Sequence, residues 1–164
     1  MGYTIAICDD DKTMADKLTA SLKNEFMKAG RNDVIIDYYD TGVQLLEALK
    51  NKMYKAVLLD INMEPMDGFA VAEAIGKSGY RTKIIFVTSH EDVVYDTFDY
   101  TPFYFIRKSR YETYVQRVVK KLIAIDGYEK TIVLDDKDGI ININSSDITY
   151  VHSEDHYLTV HTAD

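Results

Sequence analysis

The chain has 164 residues, enough to bury one good core with a small appendage. Hydrophobic residues make up 46% and charged residues 28%, a balance that excludes a disordered chain. The net charge of −8 is uneven: residues 1–126 hold 17 Lys+Arg against 19 Asp+Glu and residues 127–164 hold 2 against 8, so neither part carries the charge of a nucleic-acid surface.

No apolar run approaches the roughly 20 residues of a membrane span, and the N-terminus reads as a strand where a secretion signal needs a charged and then a long apolar stretch. A cytoplasmic protein with no membrane partner is expected. Cys8 is the single cysteine, has no internal disulfide partner and reads as a small apolar filler of a buried strand.

The first apolar run, Thr4 to Cys8, ends at Asp9-Asp10-Asp11. Met14, Leu18, Leu22 and Phe26 then step by four, which predicts a helix with one apolar face and a stop at Gly30. Val34 to Tyr39 is a second strand, and Val43, Leu46 and Leu49 mark a second helix. The strand Ala56 to Leu59 runs into Asp60 and is followed by a helix on Phe69, Ala72 and Ile75 that stops near Gly76 or Gly79. Ile84 to Val87, a short helix around Val93 to Phe98, and Phe103 to Ile106 complete the alternation. A fifth helix carries Tyr111, Tyr114, Val115, Val118, Leu122 and Ile125, with Gly127 as its C-cap. Five strands alternating with helices predict an α/β fold, a parallel, doubly wound, flavodoxin-like sheet covered on both faces.

After Gly127 the period changes. Thr131 to Leu134, the turn Asp135 to Gly139, and Ile140 to Ile143 read as a hairpin, with Ile148 to Val151 and Tyr157 to Val160 as two more strands. A mostly β tail over 127–164 has 38 residues, below the roughly 40 at which a lone core sustains itself, so an incomplete second domain is expected.

In an open parallel sheet ligands bind beyond the carboxyl ends of the strands. Those positions here are Asp9 and Asp10, Asp60, Thr88 and Lys108. Carboxylates crowded at one edge repel, and a hard cation with oxygen ligands relieves that. Magnesium suits two carboxylates, a backbone carbonyl and a phosphoryl oxygen, while an aspartate can accept a phosphoryl group whose charge a metal, a lysine and a hydroxyl would neutralise. Asp60, Lys108 and Thr88 fit those three protein roles. Taken singly, Asp9-Asp10-Asp11 could equally cap the first helix, and Asp60 or Lys108 could be a turn or surface residue.

Ile5 to Asp11, Leu58 to Gly68, Phe86 to Ser89 and Phe105 to Lys108 together resemble the receiver domain of two-component response regulators over residues 3 to about 125. The resemblance implies Asp60 as phosphoacceptor, Mg²⁺ held at Asp9, Asp10, Asp60 and the Asn62 backbone carbonyl, Thr88 as switch hydroxyl, Lys108 as phosphate-pairing base and Phe105 as aromatic switch. It implies a receiver over 1–126 and a sensor histidine kinase as partner, with no turnover enzyme. Ser146 to Val151 and His156 to His161 resemble the opening of a LytTR-type DNA-binding domain, of which 127–164 would be an incomplete N-terminal fragment. DNA is then the partner of the full-length protein rather than of this piece, which would dimerise on activation.

Ser109 stands where the family usually has proline after the lysine, and Pro65 is displaced by one, placing Glu64 near the rim. These departures motivate an alternative, a pseudo-receiver that signals by protein contact without phosphorylation. An aspartate-nucleophile phosphatase would need an acid two residues after Asp60, where Asn62 stands. His152, His156 and His161 lack the spacing of a metal site, and the basic stretch Arg107, Lys108, Arg110, Arg117, Lys120 and Lys121 fits the flank and later turns of a helix.

Overall fold

The computed structural model describes residues 3–89, 100–126, 131–136, 139–154 and 157–162. In it the chain forms β1 (Tyr3–Cys8), α1 (Lys12–Lys28), β2 (Val34–Tyr39), α2 (Gly42–Leu49), β3 (Ala56–Asp60), α3 (Gly68–Lys77), β4 (Lys83–Thr88), β5 (Tyr104–Arg107) and, after the short 3₁₀ turn Lys108–Arg110, α4 (Tyr111–Asp126). The strands make one parallel sheet in the order β2-β1-β3-β4-β5, so the expected α/β architecture is present. The helix expected around Val93 to Phe98 and the cap at Gly127 lie outside the described residues.

β3 shows why the sheet forms. All five of its residues are buried, as a strand covered on both faces requires, and β1 is nearly as enclosed. Helix starts are set by side chains that accept the orphan N–H groups of a first turn: Asp11 from Thr13 and Met14, Thr41 from Gln44, Asp67 from Ala70. Of the acidic triplet, then, Asp11 is the helix cap and Asp9 and Asp10 are left for other work. α1 ends as expected: Gly30 takes φ +79, and Arg31 N–H reaches the Phe26 carbonyl at 2.9 Å, a six-to-one closure that needs a left-handed residue.

The second helix turns a different face inward from the expected one. Leu45 and Leu49 are buried with Gly42, whereas Val43 is 52% exposed and Leu46 is half-buried. Four apolar residues in an eight-residue helix offer two overlapping stripes, and packing against α3 selects between them. A Cβ on Gly42 would lie 2.3 Å from Val71 Cγ2, so the bare glycine is what lets α3 approach. The third helix ends as expected, α3 continuing through Gly76 to Lys77 before Gly79 takes φ +70. On α4 the buried stripe adds Val119 to Val115, Val118 and Leu122, while Tyr111, Tyr114 and Ile125 are half-buried.

The chain divides into two compact units, Met1–Val119 and Lys120–Asp164. In the second, β6 (Thr131–Asp136) pairs antiparallel with β7 (Gly139–Asn144), and β8 (Ile148–Glu154) with β9 (Tyr157–Thr162), as two separate ribbons. No helix among the described residues is long and apolar enough to cross a membrane.

Two glycines of α3 give opposite expectations. A Cβ at Gly68 would sit 2.2 Å from the Asp60 carbonyl oxygen and 2.8 Å from Ile61 Cα, backbone atoms that cannot step aside alone. Gly68→Ala is therefore expected to lose about 1–3 kcal/mol by urea unfolding. Gly76 faces open space, and Gly76→Ala is expected to gain roughly 0.5–1 kcal/mol. Equal effects at both positions would refute the close packing of α3 on the end of β3.

Candidate functional site

β1 and β3 are neighbours, with Cys8 beside Leu59, so Asp9 leaves the sheet next to Asp60. The Asp9 N–H continues the ladder by donating to the Tyr39 carbonyl at 3.1 Å. Carboxylate oxygens of Asp9, Asp10 and Asp60 lie within 4.8 Å of one another, the single such acidic, His or Cys cluster among the described residues. Asp9 is 1% exposed and Asp60 4%, whereas Asp10 faces solvent.

Lys108 enters from β5. Its Nζ donates to Asp60 Oδ2 at 2.9 Å and stands 2.9 Å from Asp9 Oδ2. The contact with Asp9 is a buried ion pair, and Asp9 Oδ2 has no other polar partner among the described residues. Such an atom is costly unless a cation or donor completes its shell. The Lys108–Ser109 bond is not cis, the cis bond among the described residues being Glu64–Pro65. The lysine reaches both carboxylates nonetheless, because the 3₁₀ turn beginning at Lys108 follows β5 directly.

Burial drives the Asp60 carboxyl up from 3.8 to about 6, with the charge of Asp9 pushing the same way and the Lys108 hydrogen bond opposing both. Burial would lower Lys108, but the two carboxylates beside it outweigh that and raise it. The Cys8 thiol, buried beneath this edge with its Sγ 3.7 Å from Met63 Sδ, is pushed up to about 12 by burial and by the charges of Asp9 and Asp60. It is a packed apolar group, as its place in the strand suggests.

Thr88 ends β4 almost wholly buried and pairs in register with Arg107, one residue before Lys108. Asn62 N–H points to Asp60 Oδ1 at a long 3.4 Å, and its side chain is exposed. Phe105 lies half-buried against the core, beside Phe86. Glu64 is exposed. His152 and His161 lie on β8 and β9, where Tyr150 stacks on His161 at 4.1 Å; His156 lies outside the described residues.

Two contributors escape a reading of strand ends. Gly68 donates its N–H to the Ile61 carbonyl at 2.9 Å and folds the loop after Asp60 back on the strand. Tyr38 donates its hydroxyl to the Asp9 carbonyl at 3.0 Å, and Lys12 Nζ stands 4.7 Å from its ring. A tyrosine inside an apolar run gives no sign of a bond to backbone 29 residues away.

The response regulator receiver domain family matches residues 5–120. The transcriptional regulatory protein YpdB of Escherichia coli K12 is 28% identical over 90 residues, 55% of this chain and 37% of YpdB, so the chain spans well under half of that relative. The sensory transduction protein LytT of Bacillus subtilis is 22% identical across 98% of this chain and 69% of LytT. The crystal structure of the response regulator TrrA from Thermotoga maritima, in complex with Mg²⁺-BeF, superposes with a TM-score of 0.59 at 28% identity, covering 73% of this chain and 98% of that one. With its family match running from β1 into α4, over the strands that bring Asp9, Asp60, Thr88 and Lys108 to one edge, the chain belongs to the response regulator receiver domain family.

Proposed function

We propose that Asp60 accepts a phosphoryl group from the phosphohistidine of a sensor kinase, with Mg²⁺ held by the carboxylates of Asp9, Asp10 and Asp60 and by the Asn62 carbonyl. One observation carries the reading: a buried aspartate at a strand end shares a single lysine with a second buried aspartate, and a third carboxylate, Asp10, lies within 4.8 Å of both. That donor set of hard oxygens fits Mg²⁺, and the TrrA structure is a complex with Mg²⁺-BeF. When bound, the cation supplies charge neutralisation at the incoming phosphoryl oxygens.

In the transfer an Asp60 carboxylate oxygen forms the new bond to phosphorus, and the nitrogen–phosphorus bond breaks with its electron pair returning to the imidazole. Lys108 is already aimed at Asp60 and offers its ammonium to the arriving negative charge. Thr88 offers a hydroxyl from the next strand end. Phe86 and Thr88 share one face of β4, with Phe105 beside Phe86, and Phe69 of α3 and Tyr100 pack on Phe86 at 5.6 and 6.2 Å. A pull on Thr88 is therefore transmitted into an aromatic cluster, with Phe105 as the switch residue. Because Lys108 meets Asp60 without a following proline, the motive for a pseudo-receiver is weakened.

The β6–β9 segment serves, in this proposal, as the opening of a LytTR-type DNA-binding domain; LytT aligns over 98% of this chain. DNA binding and dimerisation would belong to the full protein, with phosphorylation as their control rather than as turnover chemistry.

With Mg²⁺ and acetyl phosphate, mass spectrometry is expected to find one acyl phosphate, on Asp60, absent in Asp60→Asn and with chelator. Lys108→Ala should slow its formation on the order of 10²-fold. A modified Asp60→Asn, or no acyl phosphate in the parent chain, sinks the reading.

The charge crowding also has a sign. Asp60 at about 6 in the fold, against 3.8 when unfolded, binds its proton more tightly in the native state. Native stability therefore falls as pH rises from 3.8 to 6 and stays reduced above that. In chelator at pH 7, Asp60→Asn is expected to be the more stable by about 1–3 kcal/mol, the gap closing as pH falls below 4. A less stable Asp60→Asn at neutral pH would show that Lys108 over-compensates the carboxylates.

A further inference from the structure

Asp9 stands one residue beyond the end of β1, and both of its main-chain polar groups are tied to β2. Its N–H donates to the Tyr39 carbonyl at 3.1 Å, the next rung of the parallel ladder. For its carbonyl the ladder has little left to give, because β2 ends at Tyr39 and the chain turns at Asp40 and Thr41 into α2. The Tyr38 hydroxyl takes that place, donating to the Asp9 carbonyl oxygen at 3.0 Å.

That carbonyl belongs to the peptide unit joining Asp9 to Asp10. The plane of this unit sets the direction in which Asp10 leaves the strand. The Asp9 side chain is held independently, with Oδ1 accepting the Asp11 N–H at 2.9 Å and Oδ2 beside Lys108. Asp10, exposed, has its direction set chiefly by the backbone behind it. The Tyr38 ring is itself fixed by the Lys12 ammonium over its face. From these contacts we propose that Tyr38 is a positioning residue for the cation site: its hydroxyl locks the Asp9–Asp10 peptide so that the Asp10 carboxylate is held ready beside Asp9 and Asp60.

This rests on the Mg²⁺ reading above and adds a residue that touches neither metal nor phosphoryl group. Tyr38→Phe keeps the ring and its contact with Lys12 and removes only the donor. Tyr54→Phe is the matched control, since Tyr54 meets the same strand through Tyr39 (2.6 Å between hydroxyls) and Asp37 (2.5 Å) without touching Asp9.

The test is direct binding of Mn²⁺ to each unphosphorylated protein, followed by the paramagnetic resonance of the free ion, with thermal melts in chelator alongside. Tyr38→Phe is expected to bind Mn²⁺ about three- to tenfold more weakly, the loss of one hydrogen bond's preorganisation, while Tyr54→Phe stays within about twofold of the parent. In acetyl phosphate labelling, Tyr38→Phe should need correspondingly more Mg²⁺ yet reach the parent rate at saturation. Unchanged Mn²⁺ affinity in Tyr38→Phe overturns the proposal while leaving the cation site standing. So does equal weakening in Tyr54→Phe, which would mean general loosening of β2. A parent chain that binds no Mn²⁺ brings down the metal reading and this proposal with it.

Discussion

One lysine against two buried carboxylates is the constraint on which this molecule turns. Asp9 and Asp60 are both withdrawn from water at the end of the sheet, Asp10 adds a third carboxylate at the rim, and Lys108 supplies the cation that meets the buried pair. Three carboxylates and one ammonium leave two negative charges in excess when all are ionised. Burial accounts for most of the rise of the Asp60 carboxyl, because a charge in a low-dielectric site loses its hydration.

The sheet order produces this crowding. In the order β2-β1-β3-β4-β5 the chain winds one way from β1 to β2 and the other way from β3 onward, so the loops after β1 and β3 diverge and leave a crevice between them. Asp9 and Asp60 line that crevice, and Thr88 and Lys108 close it from β4 and β5. Gly68 then matters as much as any charged residue, since the loop after Asp60 can fold back only where no Cβ meets the Asp60 carbonyl.

Much of this was legible in the chain because strand ends and helix faces are written in hydrophobic periodicity. The five apolar runs and the five residues at four of their ends, Asp9, Asp10, Asp60, Thr88 and Lys108, emerge from that reading. Legibility failed where one pattern served two outcomes. Val43, Leu45, Leu46 and Leu49 fit either of two helix faces, and the choice is made by tertiary packing, which puts Leu45 and Leu49 in one cluster with Val71 and Ile75 of α3. Asp9, Asp10 and Asp11 are chemically identical letters, yet Asp11 caps a helix, Asp9 is buried and Asp10 is exposed, a division set by one residue's distance from the strand end. Ser109 after Lys108 looked like a defect, but the lysine's long chain and the turn that follows β5 reach Asp60 without the proline. The Tyr38 bond was hidden because its acceptor is backbone, which no side-chain pattern encodes.

The ribbons of the second unit obey the same period-two rule to a different end. In β6 and β7, Ile132 faces Ile143 and Leu134 faces Ile141; in β8 and β9, Val151 faces Val160 and Ser153 faces Leu158. Each ribbon thus gathers one apolar face, yet on those faces Ile141 remains 49% exposed and Leu158 62%, where the central strands β1 and β3 of the first unit bury their isoleucines and leucines completely. Two strands alone offer no second layer for such a face, and isolated hairpins are marginal in water.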